Sequence, residues 1–421
     1  MMPPGQSLSY DAAPCFSTPL RFFLTAPLFG VAAGALLLGM PELLDSRWTP
    51  GALALTHLIA VGFMLSVMLG ALLQVLPVVA GAVIPLSGTV SALVHGGLSI
   101  GAALLALGLG AGLQVVLLPA MVLLGGALTL FLIAAALGLR RAPVAQATPR
   151  DLRLALGGFG VAVALGISLA LAVSGRVSLP LLTALKLHIG WAMLGGAGIL
   201  LAATSWVVVP MFQITPNYPT HMTRFWATGT GAVLVAWSVA VLTGHDATEF
   251  ALLLAIAAAC FLFAVTTVRL QRQSRRTVPD VTMRAFQLGM GCFIAGLACV
   301  LLAQRSDGVL WPVLAGILIL HGGFVSVIVG MLYKIIPFLA WLHLTQDLGK
   351  APNMKKLQPD AQVKRHLSLH GAAIAVLLTA TVVGHPLGIR IAGLVLIAEF
   401  ALLAANTIKV LRTYRAVRAA A

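Results

Sequence analysis

The chain has 421 residues, 60% of them hydrophobic and 9% charged, with a mean hydropathy of +1.03 and a formal net charge of +15. So little polar surface cannot cover a water-soluble globule of this length, so composition excludes a soluble domain and leaves an integral membrane protein. The basic excess does not point to nucleic acid, because that reading needs a soluble basic domain with base-reading or stacking residues, and the polar stretches are too short to form one.

In chain order, residues 1–20 (MMPPGQSLSYDAAPCFSTPL) lack the basic start and small-residue cleavage site of a signal peptide and are expected to form a cytoplasmic tail. Twelve apolar stretches follow, at about 21–45, 53–83, 87–110, 112–139, 152–175, 180–213, 225–244, 248–268, 284–304, 309–341, 367–384 and 387–409. Most reach the ~20 residues that an α-helix needs to cross the bilayer core. Their length predicts helices, since barrel strands would show as alternating segments of ~10 residues. Punctuation is weakest at 83–87 and 110–112. The fold class expected is therefore all-α, a polytopic membrane protein with about 12 transmembrane helices in one domain over 21–410, with 411–421 as a second tail.

Of the 26 Lys and Arg residues, Arg47, Arg176, Lys186, Arg305 and Arg390 fall on one side of this arrangement, and the remaining 21 on the other. The positive-inside rule then predicts that both termini are cytoplasmic, and topology accounts for most of the net charge. The four cysteines (Cys15, Cys260, Cys292, Cys299) form no CxxC pair, and three lie in apolar stretches, which suits packing better than ligation.

Three stretches resemble one another: HLIAVGFMLSVMLGALLQVLP from His57, HIGWAMLGGAGILLAATSWVVVP from His188 and HGGFVSVIVGMLYKIIP from His321. Each opens on a His, follows it with Gly and an aromatic, and closes on a Pro; the histidines are 131 and 133 residues apart. LVHGGLSIG at His95 and SLHGAAIAV at His370 form a further similar pair. The economical interpretation is three pseudo-repeats of four helices, at about 21–139, 152–268 and 284–409, with the motif on the second helix of each.

An ionisable group inside a membrane helix is costly and usually faces a cavity, a partner or the bundle interior. His57, His188 and His321 all fall in the outer half of equivalent helices. Imidazole stays neutral in an apolar site and is a common ligand of metals and heme iron, so ligation is the sharper interpretation of the trio. Hydrogen bonding to a neighbouring helix is the ordinary role of any single one. That role is expected for His95 and His370, which lie nearer the cytoplasmic face and too far from the trio to share its site. His221, His343, His366, His245 and His385 are expected at solvated surfaces. Trp191, Phe324, Met64, Met68 and Met193 are read as packing residues, and Lys186 as snorkelling. Gln74, Trp206, Tyr333 and Lys334 are read as interface anchors. Glu399 is the one carboxylate well inside an expected span.

Twelve helices in three arcs with histidines on helices 2, 6 and 10 resemble the heme-copper oxidase subunit I superfamily. The chain is most similar to its divergent non-respiratory relatives, including the nitric-oxide-response heme-copper membrane proteins. The resemblance implies heme b between His57 and His321, copper at His188, Arg390 near the heme propionates, and a redox partner subunit. The chain also departs from that family: the paired His-His of helix 7 is absent and helix 10 carries one His, so the oxygen-reducing binuclear centre cannot be assembled as in the oxidases and dioxygen reduction is not expected. The function that the resemblance implies is nitric oxide handling or electron transfer within a bacterial inner membrane, with no enzymatic reaction assigned. A heme-free permease and an oxidase assembly factor are the alternatives, the permease because repeated, broken apolar runs also describe secondary transporters.

Overall fold

A computed structural model describes residues 9–142, 146–277, 280–349 and 351–420. Among these residues the regular structure is entirely helical, and twelve helices are long and apolar enough to cross a membrane. They are α1 (Ser17–Gly39), α2 (Pro50–Ala80), α3 (Ser87–Gly110), α4 (Gln114–Leu139), α5 (Ala147–Val173), α6 (Leu181–Gln213), α7 (Thr220–Thr243), α8 (Asp246–Arg272), α9 (Val281–Ala303), α10 (Leu310–Leu348), α11 (Asp360–Val383) and α12 (Pro386–Ala419). The breaks at the two poorly punctuated junctions are made by backbone in the left-handed region: Gly81 and Leu86 between α2 and α3, and Gly112 between α3 and α4. Glycine has no Cβ to oppose that conformation, so a single Gly112 suffices to turn the chain where no polar residue marks a loop.

The chain divides into two compact units. One comprises Met1–Pro14, Ala71–Gly101 and Gln114–Arg276; the other comprises Cys15–Gly70, Ala102–Leu113 and Thr277–Ala421. The first contains α4 to α8. Its apolar centre includes Leu187, Leu234, Trp237, Val241 and Ile256, and Gly158 of α5 meets the backbone of Gly195 in α6 so closely that a Cβ would lie 2.2 Å from it.

The second unit contains α1 and α9 to α12 and is organised by two close approaches. Gly34 of α1 and Gly393 of α12 face each other, each able to hold a Cβ only within 2.7 Å of the other's carbonyl oxygen. Gly30 lies one turn earlier against the ring of Phe400. Small residues let membrane helices approach until backbones touch, where dispersion replaces the absent hydrophobic drive. These glycines therefore set how deeply the Phe400 side of α12 sits in its unit.

Three of the long helices are not α-helical throughout. α2 is π-helical over Leu58–Leu65, α6 over Trp191–Gly198 and α10 over Ile317–Val325. These are the helices of the His57, His188 and His321 motifs, and each π segment begins within three residues after its His or contains it. A π turn accommodates an extra residue and is most often found where a side chain must be re-aimed.

A buried histidine and glutamate cluster

The second unit buries a compact polar group in an otherwise apolar setting. α10 supplies His321 and Ser326, α11 supplies His366 and His370, and α12 supplies Glu399. His321 is 4% exposed and His370, His366, Ser326 and Glu399 are fully buried. His370 Nδ1 lies 2.7 Å from Glu399 Oε1, and His321 Nε2 lies 3.2 Å from Glu399 Oε2. The two imidazole rings are 5.1 Å apart, centroid to centroid. One ligand atom from each of His321, His370 and Glu399 lies within 4.8 Å of the others.

The π segment explains how α10 presents two of these groups together. On an α-helix, residues five apart are turned about 140° from one another. In the wider π turn, positions i and i+5 come nearly into line, so His321 and Ser326 can both face α11. On α11, His366 and His370 are four apart and share a face. On α12, Glu399 precedes Phe400, whose ring is 6.0 Å from that of His321 and 4.9 Å from that of Phe63 on α2. The apolar neighbours exclude water, and the Phe400 ring beside them packs against Gly30 of α1.

The hydrogen bonds are incomplete. Ser326 Oγ contacts Gly322 O at 2.6 Å and His370 Nε2 at 2.7 Å, and His366 Nε2 donates to the Glu399 carbonyl at 3.1 Å. The 3.2 Å approach of His321 to Glu399 is not aligned as a hydrogen bond. Both ring nitrogens of His321, Nδ1 of His366 and Oε2 of Glu399 are thus buried without a hydrogen-bond partner. Each such group costs about 1–3 kcal/mol in lost solvation. His321 Nε2 and Glu399 Oε2 face each other across 3.2 Å with neither partnered, and with His370 they make a donor set that could hold a cation.

The sequence-derived site residues are placed as follows. His321 lies in the cluster. His57 is half-buried at the start of the π segment of α2, which lies against that of α10, and its Nδ1–H donates to Leu53 O of its own helix at 2.8 Å. His188 belongs to the other unit, half-buried, with Nδ1 donating to Ala162 O on α5 at 3.0 Å. Arg390 is exposed near the start of α12.

Several expectations are corrected. His370, expected to be remote from the trio, shares a site with His321. The reason is where the spans run: α10 and α11 are antiparallel neighbours, so the start of α10 and the end of α11 share a side, and His321, 11 residues after Leu310, comes level with His370, 13 residues before Val383. His366, expected at a solvated surface, is buried as well, because α11 begins at Asp360 rather than near residue 367. The expected interface anchors turn inward instead. Tyr333 accepts a hydrogen bond from Asn406 at 2.8 Å, and Trp206 donates to the buried Asp151 at 2.9 Å, with Arg150 on the other carboxylate oxygen at 2.8 Å. Lys334 forms an ion pair with Asp280, and Lys186 pairs with Glu249 at 3.0 Å.

Asp280 stands just before α9, where its carboxylate caps the helix by accepting from Thr282 N at 3.0 Å. Burial alone would raise its pKa, but the Lys334 ammonium together with the Thr282 backbone and hydroxyl donors holds it below the usual carboxylate value. The cluster itself left one trace in the sequence, the HLSLH spacing of His366 and His370, but nothing in a linear pattern tied it to Glu399. No protein-family model matches the chain, and no curated protein matches it.

Proposed function

We propose that the protein is a membrane metalloprotein that holds a first-row divalent transition-metal ion on His321, His370 and Glu399. One observation carries the proposal: three ligand atoms from three helices converge within 4.8 Å on buried residues, with His321 and Glu399 Oε2 lacking hydrogen-bond partners. Two imidazoles and one carboxylate form a nitrogen and oxygen donor set suited to such ions, and three protein donors leave coordination positions open. An open position fits electron transfer or the handling of a small ligand such as nitric oxide, the role that the resemblance implies.

The resemblance also implies heme b between His57 and His321, with copper at His188. His57 is arranged as a ligating histidine commonly is, with Nδ1–H tied to a carbonyl and Nε2 left available. His321 is arranged differently. Its Nε2 faces Glu399, with the rings of His370 and Phe400 beside it, so a macrocycle on that nitrogen requires the imidazole to leave the carboxylate. This favours a bare ion over a heme at His321.

Metal analysis and absorption spectra of the protein purified in mild detergent test the proposal. About one equivalent of tightly held metal is expected, lost in His370→Ala and Glu399→Gln, with no Soret band. A Soret band that disappears in both His57→Ala and His321→Ala but persists in Glu399→Gln would instead establish the heme arrangement. A colourless, metal-free preparation from metal- and heme-replete cells would sink both and favour the permease.

A further inference from the structure

The metal reading leaves open which nitrogen of His370 is the donor, and the hydrogen bonds around Ser326 decide it. An oxygen–oxygen separation of 2.6 Å between Ser326 Oγ and Gly322 O requires a proton between them, and a carbonyl has none to give. The single hydroxyl proton of Ser326 is therefore committed to Gly322 O. At 2.7 Å from His370 Nε2, Ser326 Oγ can then only accept, so Nε2 carries the ring proton. In the neutral imidazole this makes Nδ1 the lone-pair atom, and Nδ1 is the nitrogen that faces Glu399 Oε1 at 2.7 Å.

A lone pair and a carboxylate oxygen do not approach to 2.7 Å without something positive between them. In the loaded protein that would be the metal ion, held by Nδ1 of His370 and by Glu399.

We infer that Ser326 is a positioning residue for the metal centre: by accepting from His370 Nε2–H it fixes the tautomer in which Nδ1 is the ligand atom. The π segment is part of the same device, because it turns Ser326 and His321 towards α11 together and ends on the residue before Ser326. The metals it suits are divalent ions of the Zn2+, Co2+, Fe2+ and Mn2+ class, which take neutral imidazole with a carboxylate. Outer-shell partners of ligating histidines characteristically contribute 10–100-fold in affinity.

This inference rests on the proposed metal site, and Co2+ titration of the intact detergent-solubilised chain, first stripped of bound metal by a chelator, separates the two. Co2+ gives visible d–d bands that report ligand identity and geometry. Wild type is expected to bind one equivalent with a defined spectrum; Ser326→Ala to bind 10–100-fold more weakly with altered bands; and Ser326→Thr, which keeps the hydroxyl, to restore both. A wild-type chain that takes up no Co2+ overturns the site and this inference together. A wild type that binds, with Ser326→Ala matching it in affinity and spectrum, overturns the positioning role alone. Equal weakening by Ser326→Ala and Ser326→Thr overturns it too, since loss of packing rather than loss of a hydroxyl would then be the cause.

Discussion

At the scale of single residues, the molecule contains two kinds of carboxylate. Asp280 sits at a helix start against a lysine, and its charge stabilises the fold. Its folded pKa lies below the unfolded value, so its contribution is complete above the unfolded pKa and is lost as pH falls through the folded one. Thermal unfolding in detergent should therefore show Asp280→Asn converging on wild type as pH drops towards 3, and falling below it at neutral pH. Asp280→Ala also removes the acceptor for Thr282 N, so it should cost about 1 kcal/mol more than the Asn variant, the usual value of a helix cap. Glu399 has no comparable cap or lysine role. It lies between two imidazoles in an apolar shell, where a charge is expensive unless paired. Glu399→Gln should thus abolish metal retention while leaving the chain folded, as measured by metal content against unchanged helicity.

At the scale of elements, the π segments separate the motif helices from the others. The sequence showed that α2, α6 and α10 carry matching His–Gly–aromatic runs, but nothing in the residues indicated a change of helical pitch. The physical reason is that a π turn is stabilised by what its re-aimed side chains meet, which is tertiary. Removing Ile319 from the Ile317–Val325 segment would absorb the extra residue and restore an α-helical register, in which His321 and Ser326, five apart, are turned about 140° from one another. His321 and Ser326 would then no longer both face α11, and metal affinity should fall at least tenfold in the Co2+ titration, with helicity by circular dichroism preserved. The glycine contacts of α1 and α12 act differently. Gly34→Leu drives a side chain into the Gly393 backbone, so the expected result is overpacking worth about 1–3 kcal/mol, seen as a lower melting temperature.

At the scale of the whole molecule, the described residues form twelve membrane-length helices, and the site lies within one of the two compact units. The distribution of Lys and Arg predicts which loops face the cytoplasm. A membrane-impermeant maleimide applied to intact cells should label Ser306→Cys, in the loop between α9 and α10, and not Lys356→Cys, between α10 and α11, in a background with the exposed Cys15 replaced. The reverse pattern would invert the topology.

The residues alone determined that the chain crosses the membrane, how many times and as what secondary structure, because run length and hydropathy are additive properties of a segment and need no partner. They also singled out His321 and Glu399, since a titratable group in a hydrocarbon span is conspicuous by itself. Which imidazole meets which carboxylate was decided only in three dimensions. Helix ends in an apolar chain are weakly marked, so the depth of His370 and His366 followed from where α10 and α11 actually run, and the orientation of His321 followed from a local widening of α10. A ligand cluster drawn from three helices is a property of their packing, and the Gly30 and Gly34 contacts that seat α12 are legible only once α1 lies against it.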